Sequence, residues 1–241
     1  MKCFVLLISL LALSLSPTLV IAQDDTSNII EYGQTVTGEI TNKEFEVEYR
    51  FTGSTGDVII IEMKPVDSMG DLTMPAIVVL DTEYTVLWNA GAYGNVTLSA
   101  MLPYDGEYAI FATRDDGRAG DSVGEYTLTL SNAPVLEVGV PIEGNISGED
   151  IAYYAINATA GSFTVNYEKM GGELFPEITL NVISEGQLEQ TAVLSGTIMS
   201  GAIGIDPSYL TSDILLLAIR RGLWDWSSSE NTVSYGVTLN Q

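Results

Sequence analysis

Arg114-Asp115-Asp116-Gly117-Arg118-Ala119-Gly120-Asp121 sets three carboxylates and two glycines in one short run. Calcium takes roughly six to eight oxygen ligands, and a tight glycine-rich loop can turn carboxylates and carbonyls inward around it. Asp115, Asp116 and Asp121, with Glu125 close by, are therefore candidate calcium ligands. Their spacing is not that of an EF-hand loop, and Arg114 and Arg118 compete for the same carboxylates. The competing reading is a solvated hairpin tip, because Asp and Gly are favoured in turns anyway.

A second constellation is Arg220-Arg221 followed by Trp224-Asp225-Trp226, with Trp88 as a further large aromatic. Exposed tryptophans could stack on sugar rings, and arginines could bind acidic groups of a partner. Trp224 and Trp226 would share one face of a strand and act together. The alternative is that at least one of them fills a core, the usual place of large aromatics. Asn95-Val96-Thr97, Asn145-Ile146-Ser147 and Asn157-Ala158-Thr159 fit the N-glycosylation pattern, which also arises by chance in a Thr-rich chain.

Absences limit the chemistry. The chain has no histidine and one cysteine, Cys3, which lies in an apolar leader. Ser-His-Asp triads, Cys-His pairs and histidine metal sites are excluded. A carboxylate pair could hydrolyse a glycoside, but with 32 acidic residues chance pairs are unavoidable. A Ser–Lys pair has Lys43, Lys64 and Lys169 to draw on beyond the leader. The expectation is a protein that is not an enzyme, with calcium as its one candidate cofactor. A net charge of −23 repels nucleic-acid phosphates and anionic lipid surfaces, so neither is an expected partner.

Residues 1–22 read as an export signal. Lys2 supplies the positive start, Phe4–Leu15 the apolar stretch, and Val20-Ile21-Ala22 the cleavage region. Ser14, Ser16 and Pro17 interrupt the apolar part before it reaches the ~20 residues a membrane span needs. A secreted or cell-surface location follows, with no membrane insertion after cleavage. Without disulfides, such a protein must be held by core burial or bound ions.

Past the leader the sequence repeats itself. Gly33–Thr41 returns as Gly139–Ser147, Tyr49–Lys64 as Tyr154–Lys169, and Tyr126–Leu130 as Tyr235–Leu239. In this alignment Lys64 and Lys169 match, which suggests a structural role. A repeat of this length is a whole small domain. Glu44–Phe51 alternates charged and apolar residues, as a half-buried strand does, while Val58–Ile61 and Ile214–Leu217 are unbroken apolar runs that predict burial on both faces. Turn residues break the chain into short strands. The prediction is an all-β protein of two tandem jelly-roll-like β-sandwich domains, 30–131 and 135–241, behind a polar lead-in at 23–29. Ser131-Asn132-Ala133-Pro134 is the expected linker.

The ordered elements Tyr32–Gly38, Thr55–Ile60, Asp71-Leu72, Leu102-Pro103-Tyr104-Asp105-Gly106-Glu107-Tyr108 and Gly124–Leu130 resemble the bacterial pre-peptidase C-terminal domain family. The resemblance covers nearly all of the first domain. It implies a non-catalytic jelly-roll-like sandwich of the kind found beside secreted proteases, some of which bind collagen or polysaccharide and some calcium. It also adds Asp71 to the candidate calcium ligands. The second domain lacks the Pro-x-Asp-Gly-x-Tyr element, and no peptidase domain accompanies the pair. Together these readings predict a secreted binding module for an extracellular polysaccharide or protein. The alternatives are self-association into a surface fibre or layer, and a small acid-pair hydrolase.

Overall fold

The computed structural model describes residues 28–148, 150–158, 161–206, 208, 210, 212–222, 225 and 231–241. The leader and positions 23–27 lie outside them. No helix among the described residues is long and apolar enough to cross a membrane.

The chain is all-β. The first domain holds β1 (Asn28–Ile29), β2 (Gln34–Ile40), β3 (Val47–Gly53), β4 (Val58–Pro65), β5 (Pro75–Leu80), β6 (Val86–Gly91), β7 (Val96–Met101), β8 (Gly106–Arg114) and β9 (Gly124–Asn132). The second holds β10 (Ile142–Ser147), β11 (Ile151–Asn157), β12 (Phe163–Gly172), β13 (Pro176–Ser184), β14 (Gln187–Leu194), β15 (Ser200–Ile205), β16 (Ile214–Arg221) and β17 (Thr232–Asn240). These form four sheets, here called layers: layer one is β1-β3-β8-β5-β6, layer two β2-β9-β4-β7, layer three β11-β16-β13-β14 and layer four β10-β17-β12-β15. Strands β2 to β9 correspond in order to β10 to β17, and the sheet orders match strand for strand. Two sheets of four main strands with this order make each copy a jelly roll.

Three interiors separate the layers. Ile59, Ile61 and Met63 of β4 face Ile77, Val79 and Ile110 of layer one. Val165 and Tyr167 of β12 face Leu180, Leu215 and Leu217 of layer three. Between the domains, Val58 and Ile60 of β4 pack with Ala133, Ala155 and Leu216. This middle contact explains why the two apolar runs do not alternate. β4 and β16 are inner strands of layers two and three, so each presents one face to its own sandwich and the other to its neighbour. Thr179 and Asn181 are buried on the same side of layer three, where the Asn181 amide donates to Thr179 Oγ1 and to the Leu216 carbonyl. Tyr153 donates to Glu62 Oε1 across the junction at 3.1 Å, and the Ser99 amide of β7 donates to the Gly186 carbonyl at the β13–β14 turn at 3.1 Å.

The linker is held from both sides. Ser131 and Asn132 still pair with Ile60 and Ile59. The Ala133 amide donates to the Val58 carbonyl, and the Ala155 amide donates to the Pro134 carbonyl. Only Ala133-Pro134 joins the domains. The lead-in is also shorter than expected, since Asn28 and Ile29 pair in parallel with Tyr49 and Arg50 of β3.

Each sandwich is closed by the same three residues. Tyr49 and Tyr126 share a hydrogen bond of 3.0 Å between their hydroxyls, and Tyr154 and Tyr235 share one of 2.9 Å. Both pairs lie against a glycine of the first long strand. A Cβ at Gly38 would collide with the Tyr126 hydroxyl, and one at Gly144 with that of Tyr235. Glycine stands at these two positions because the phenols occupy the space a side chain would need.

One expected equivalence fails. Ile61 pairs with Leu130, whereas Val165 pairs with Leu239, the counterpart of Leu130. Ile61 therefore matches Val165, and Lys64 matches Glu168, because the β3–β4 connection is one residue shorter in the second copy. A one-residue slip moves every side chain to the other face. Lys64 points outward to Glu62 at 3.3 Å, while Lys169 is buried with Nζ 3.8 Å from the Phe175 ring centre.

Gly38→Ala and Gly144→Ala should each destabilise the protein by about 1–3 kcal/mol, the range for overpacking a filled core, read from denaturant unfolding. Burial, reinforced by the shared hydrogen bond, pushes the Tyr126 and Tyr235 hydroxyls well above their ordinary range. An unfolded tyrosine titrates near pH ~10, so the stability these pairs contribute is complete below that value and is lost as pH rises past it. In a spectrophotometric titration, their phenolate signal should appear together with loss of β-sheet signal and not before. Leu216→Asp should uncouple the domains, turning one calorimetric transition into two.

Candidate functional site

The acidic loop after β8 is organised around a buried side chain. Arg114 ends β8 and is 2% exposed. Its Nε donates to the Gly117 carbonyl at 2.8 Å, and its Nη1 donates to Asn42 Oδ1 at 2.9 Å and to the Ser122 carbonyl at 3.1 Å. Phe45 lies beneath, its ring centre 5.9 Å from the guanidinium carbon. Oxygens that a cation would recruit are thus turned toward a fixed guanidinium. Asp115, Asp116 and Asp121 are exposed on the outside of the loop. Asp71 reaches the loop through its carbonyl, which accepts from Ser122 Oγ and from the Val123 amide. Among the described residues no three acidic groups converge on a metal-holding position. The four aspartates do not form the ligand set their spacing suggested, because the loop folds around Arg114 and leaves their carboxylates apart.

The arginines of the second constellation are also engaged. Glu177 lies directly opposite Arg220 on β13. Arg220 donates to Glu177 Oε1 through Nε at 3.1 Å and Nη2 at 2.6 Å. Arg221 donates to the Asp225 carbonyl at 3.1 Å, and Asp225 Oδ2 accepts from the Phe175 amide at 3.3 Å. This corner braces the end of layer three. Trp224 and Trp226 lie outside the described residues. Trp88 is half-buried against the first core, and its Cβ faces Gly186 of the β13–β14 turn. Of the three sequons, Asn95 is exposed ahead of β7, Asn145 accepts from Ser234 Oγ at 2.6 Å within layer four, and Asn157 ends β11. Thr159 of the third sequon lies outside the described residues.

The surfaces left open are the outer faces of layers one and four. Layer four carries a trough of about 530 Å³. Ser200, Ala202 and Gly236 form a small-residue floor, with Glu143, Asn166, Glu168 and Met170 around it. The alternation Ser200-Gly201-Ala202-Ile203-Gly204 is the sequence signal that could have marked it, since it strips side chains from one face of an edge strand. On layer one, Arg50 donates from Nε to Glu48 Oε1 at 2.7 Å and from Nη1 to Glu107 Oε1 at 3.2 Å. The Glu48 hydrogen bond, with its charge, holds the Arg50 guanidinium still more firmly protonated. Beside this charged edge, layer one presents Val78, Ala109 and Phe111, and both faces are shallow, suited to contact along a surface rather than enclosure of a small molecule.

No protein-family model matches the chain, and no match was found among curated proteins. Among solved structures, the M60 catalytic domain with the CBM51-1 and CBM51-2 domains of Clostridium perfringens ZmpB is 8% identical with a TM-score of 0.27, covering 80% of this chain and 34% of that one. The PBSX exported protein XepA is 9% identical with a TM-score of 0.26, covering 88% of each chain. This chain thus spans about a third of the first protein's length. At such scores neither likeness bears on what this chain does.

Arg114→Met should destabilise the first domain by about 2–3 kcal/mol, because it strands buried carbonyls that accept from a charged donor. Wild-type protein should melt at the same temperature with calcium or with a chelator, as read by differential scanning calorimetry.

Proposed function

We propose that the chain is a secreted, non-catalytic module that binds an extracellular polymer, polysaccharide or protein, on an end face of its four-layer stack. One observation carries this reading. The packing of layer two on layer three covers one face of each domain and leaves the outer faces of layers one and four open on a framework joined by a two-residue link. A rigid scaffold with open, shallow sheet faces suits a ligand that is long and lies flat.

The titration behaviour of the described residues favours binding over catalysis. The shifted groups are tyrosines, most of them in the cores or at the junction but including the exposed Tyr32 and Tyr104, the paired Arg50, and the turn-capping Asp105 and Asp206. None is a carboxylic acid raised toward neutral pH, the usual mark of an acid–base site.

The contact between layers two and three joins unlike faces, and a contact of that kind can run on into a fibre. The residues at the free ends speak against it here. Ala155 and Ile214, which meet the first domain, correspond to Arg50 and Glu107 on layer one. Ile60 and Glu62, which meet the second domain, correspond to Thr164 and Asn166 on layer four. Charge and polarity take these positions at the rim, as polar outer faces cap repeat proteins, while Ala109, the counterpart of Leu216, lies in an apolar centre with Val78 and Phe111.

Wild-type protein should sediment with at least one insoluble polymer from a panel of cellulose, chitin, bacterial cell-wall sacculi and collagen fibrils. Recovery in the supernatant with every member would overturn the reading. In sedimentation equilibrium it should remain a monomer at the highest soluble concentration.

A further inference from the structure

We infer that the outer face of layer one is a saccharide platform, with Tyr84 as its ring and the Glu48–Arg50–Glu107 network as its hydrogen-bonding edge, and that it takes a neutral pyranose polymer. This rests on the polymer-binding reading and names the class of polymer and its place.

The β5–β6 turn presents Tyr84 in an unusual way. Asp81 Oδ1 accepts from the Glu83 and Thr85 amides at 2.9 and 2.8 Å, and the Asp81 carbonyl accepts from the Tyr84 amide at 3.0 Å. Tyr84 then takes φ +59°. A bulky aromatic there is an outlier, since the left-handed region favours Gly and Asn. The strain holds the phenol over the sheet. Arg50 Nη2 donates to the Tyr84 hydroxyl at 2.7 Å, and that hydroxyl donates to Glu48 Oε1 at 3.2 Å. Phe111 supports the ring, with centres 6.5 Å apart and planes at 59°. Half of Tyr84 remains in solvent, at 50% exposure.

Tyr104, partly exposed near the same turn, lies on the other side of the sheet. It stacks on Tyr108 at 5.2 Å, and Tyr108 stacks on Phe51 at 5.4 Å. Burial raises the Tyr104 hydroxyl, and the charges of Asp81 and Glu83 raise it further. Tyr84 is thus the exposed ring on the outer face, braced from below beside a guanidinium and two carboxylates.

The chemistry of the face selects among ligands. Pyranose rings offer C–H faces to aromatic side chains and adjacent hydroxyls to carboxylate and guanidinium forks. Asp81, Glu83, Glu48 and Glu107 around the ring oppose an anionic polymer, as does the net charge of −23. The rim also differs from that of a protein-covered face. The equivalent face of layer three, which does receive a protein surface, has Tyr153, Ala155 and Ile214 where layer one has Glu48, Arg50 and Glu107.

Native affinity electrophoresis tests this, with hydroxyethylcellulose, xyloglucan or galactomannan in the gel as neutral probes and polygalacturonate or alginate as anionic ones. Wild-type protein should be retarded by at least one neutral probe and by neither anionic one. Tyr84→Gly removes the ring at a position whose φ suits glycine, so it should keep the wild-type melting temperature and weaken retardation at least tenfold. Tyr104→Ala, on the other side of the sheet, should leave retardation unchanged. Ala202→Trp, which fills the trough on the opposite layer, should leave it unchanged. Retardation by anionic probes alone, or a Tyr84→Gly protein retarded like wild type, overturns the platform. Sedimentation with collagen or another insoluble polymer without retardation by any neutral probe also overturns the platform but leaves polymer binding standing. Failure to bind any soluble or insoluble polymer removes both.

Discussion

Every sheet of a sandwich has two faces, and the constraint that organises this molecule is where the second face of each sheet goes. Layers two and three cover each other through Val58, Ile60, Ala155 and Leu216. Burying an aliphatic side chain of this size contributes about 1.5–3 kcal/mol relative to leaving it exposed, so a handful of such residues outweighs the rotational freedom of a two-residue link. Layers one and four consequently become the ends of one body. The polar junction bonds refine this contact rather than create it. Tyr153 to Glu62 and Ser99 to Gly186 each satisfy a group that the apolar packing would otherwise strand.

Within each domain, the tyrosine pair is the corresponding device. It joins the sandwich's two sheets by a buried hydroxyl–hydroxyl bond, and the glycine on β2 or β10 lets the phenols approach the backbone. Its presence in both copies is the most direct structural sign of duplication, because it depends on three residues far apart in sequence. The repeat was legible from Gly38 with Gly144, Tyr49 with Tyr154 and Tyr126 with Tyr235. Their shared reason was not, since no local pattern says that two tyrosines and a glycine will meet.

Local periodicity carried other parts of the architecture. Alternation at Tyr126, Leu128 and Leu130 marks a one-sided strand, and all three are buried. The runs Val58–Ile61 and Ile214–Leu217 marked two-sided burial, yet their mutual contact is a property of two whole domains. Spacing misled in two places. Lys64 and Lys169 align by identity but lie on opposite faces, because one residue is missing between β3 and β4's counterparts. The aspartates around Arg114 have a composition that suits calcium, but the direction in which β8 delivers Arg114 decides what fills the loop. Arginine as competitor was visible in the sequence; arginine as occupant required the carbonyls of Gly117 and Ser122 to be placed. The layer-one network was invisible for a similar reason, since Glu48, Arg50, Tyr84 and Glu107 come from three separate segments and meet only across strands.

The two copies show how one contact makes its equivalents diverge. The β13–β14 turn is tight, with Glu185 at φ +51° and Gly186 at +82°, and its tip lies against β6 and β7 of the first domain. A side chain on Gly186 would press on the Trp88 Cβ at 3.0 Å. The corresponding β5–β6 turn meets no such neighbour. It is longer, it carries Tyr84 where the turn's geometry prefers glycine, and its phenol bends back over the sheet onto Arg50. Where a domain fills the space, the turn is reduced to backbone; where solvent fills it, the turn holds an aromatic ring against a strained main chain. Both turns carry a non-glycine residue in the left-handed region, Glu185 in one and Tyr84 in the other, so what separates them is the ring and its contacts with Arg50, Glu48 and Phe111.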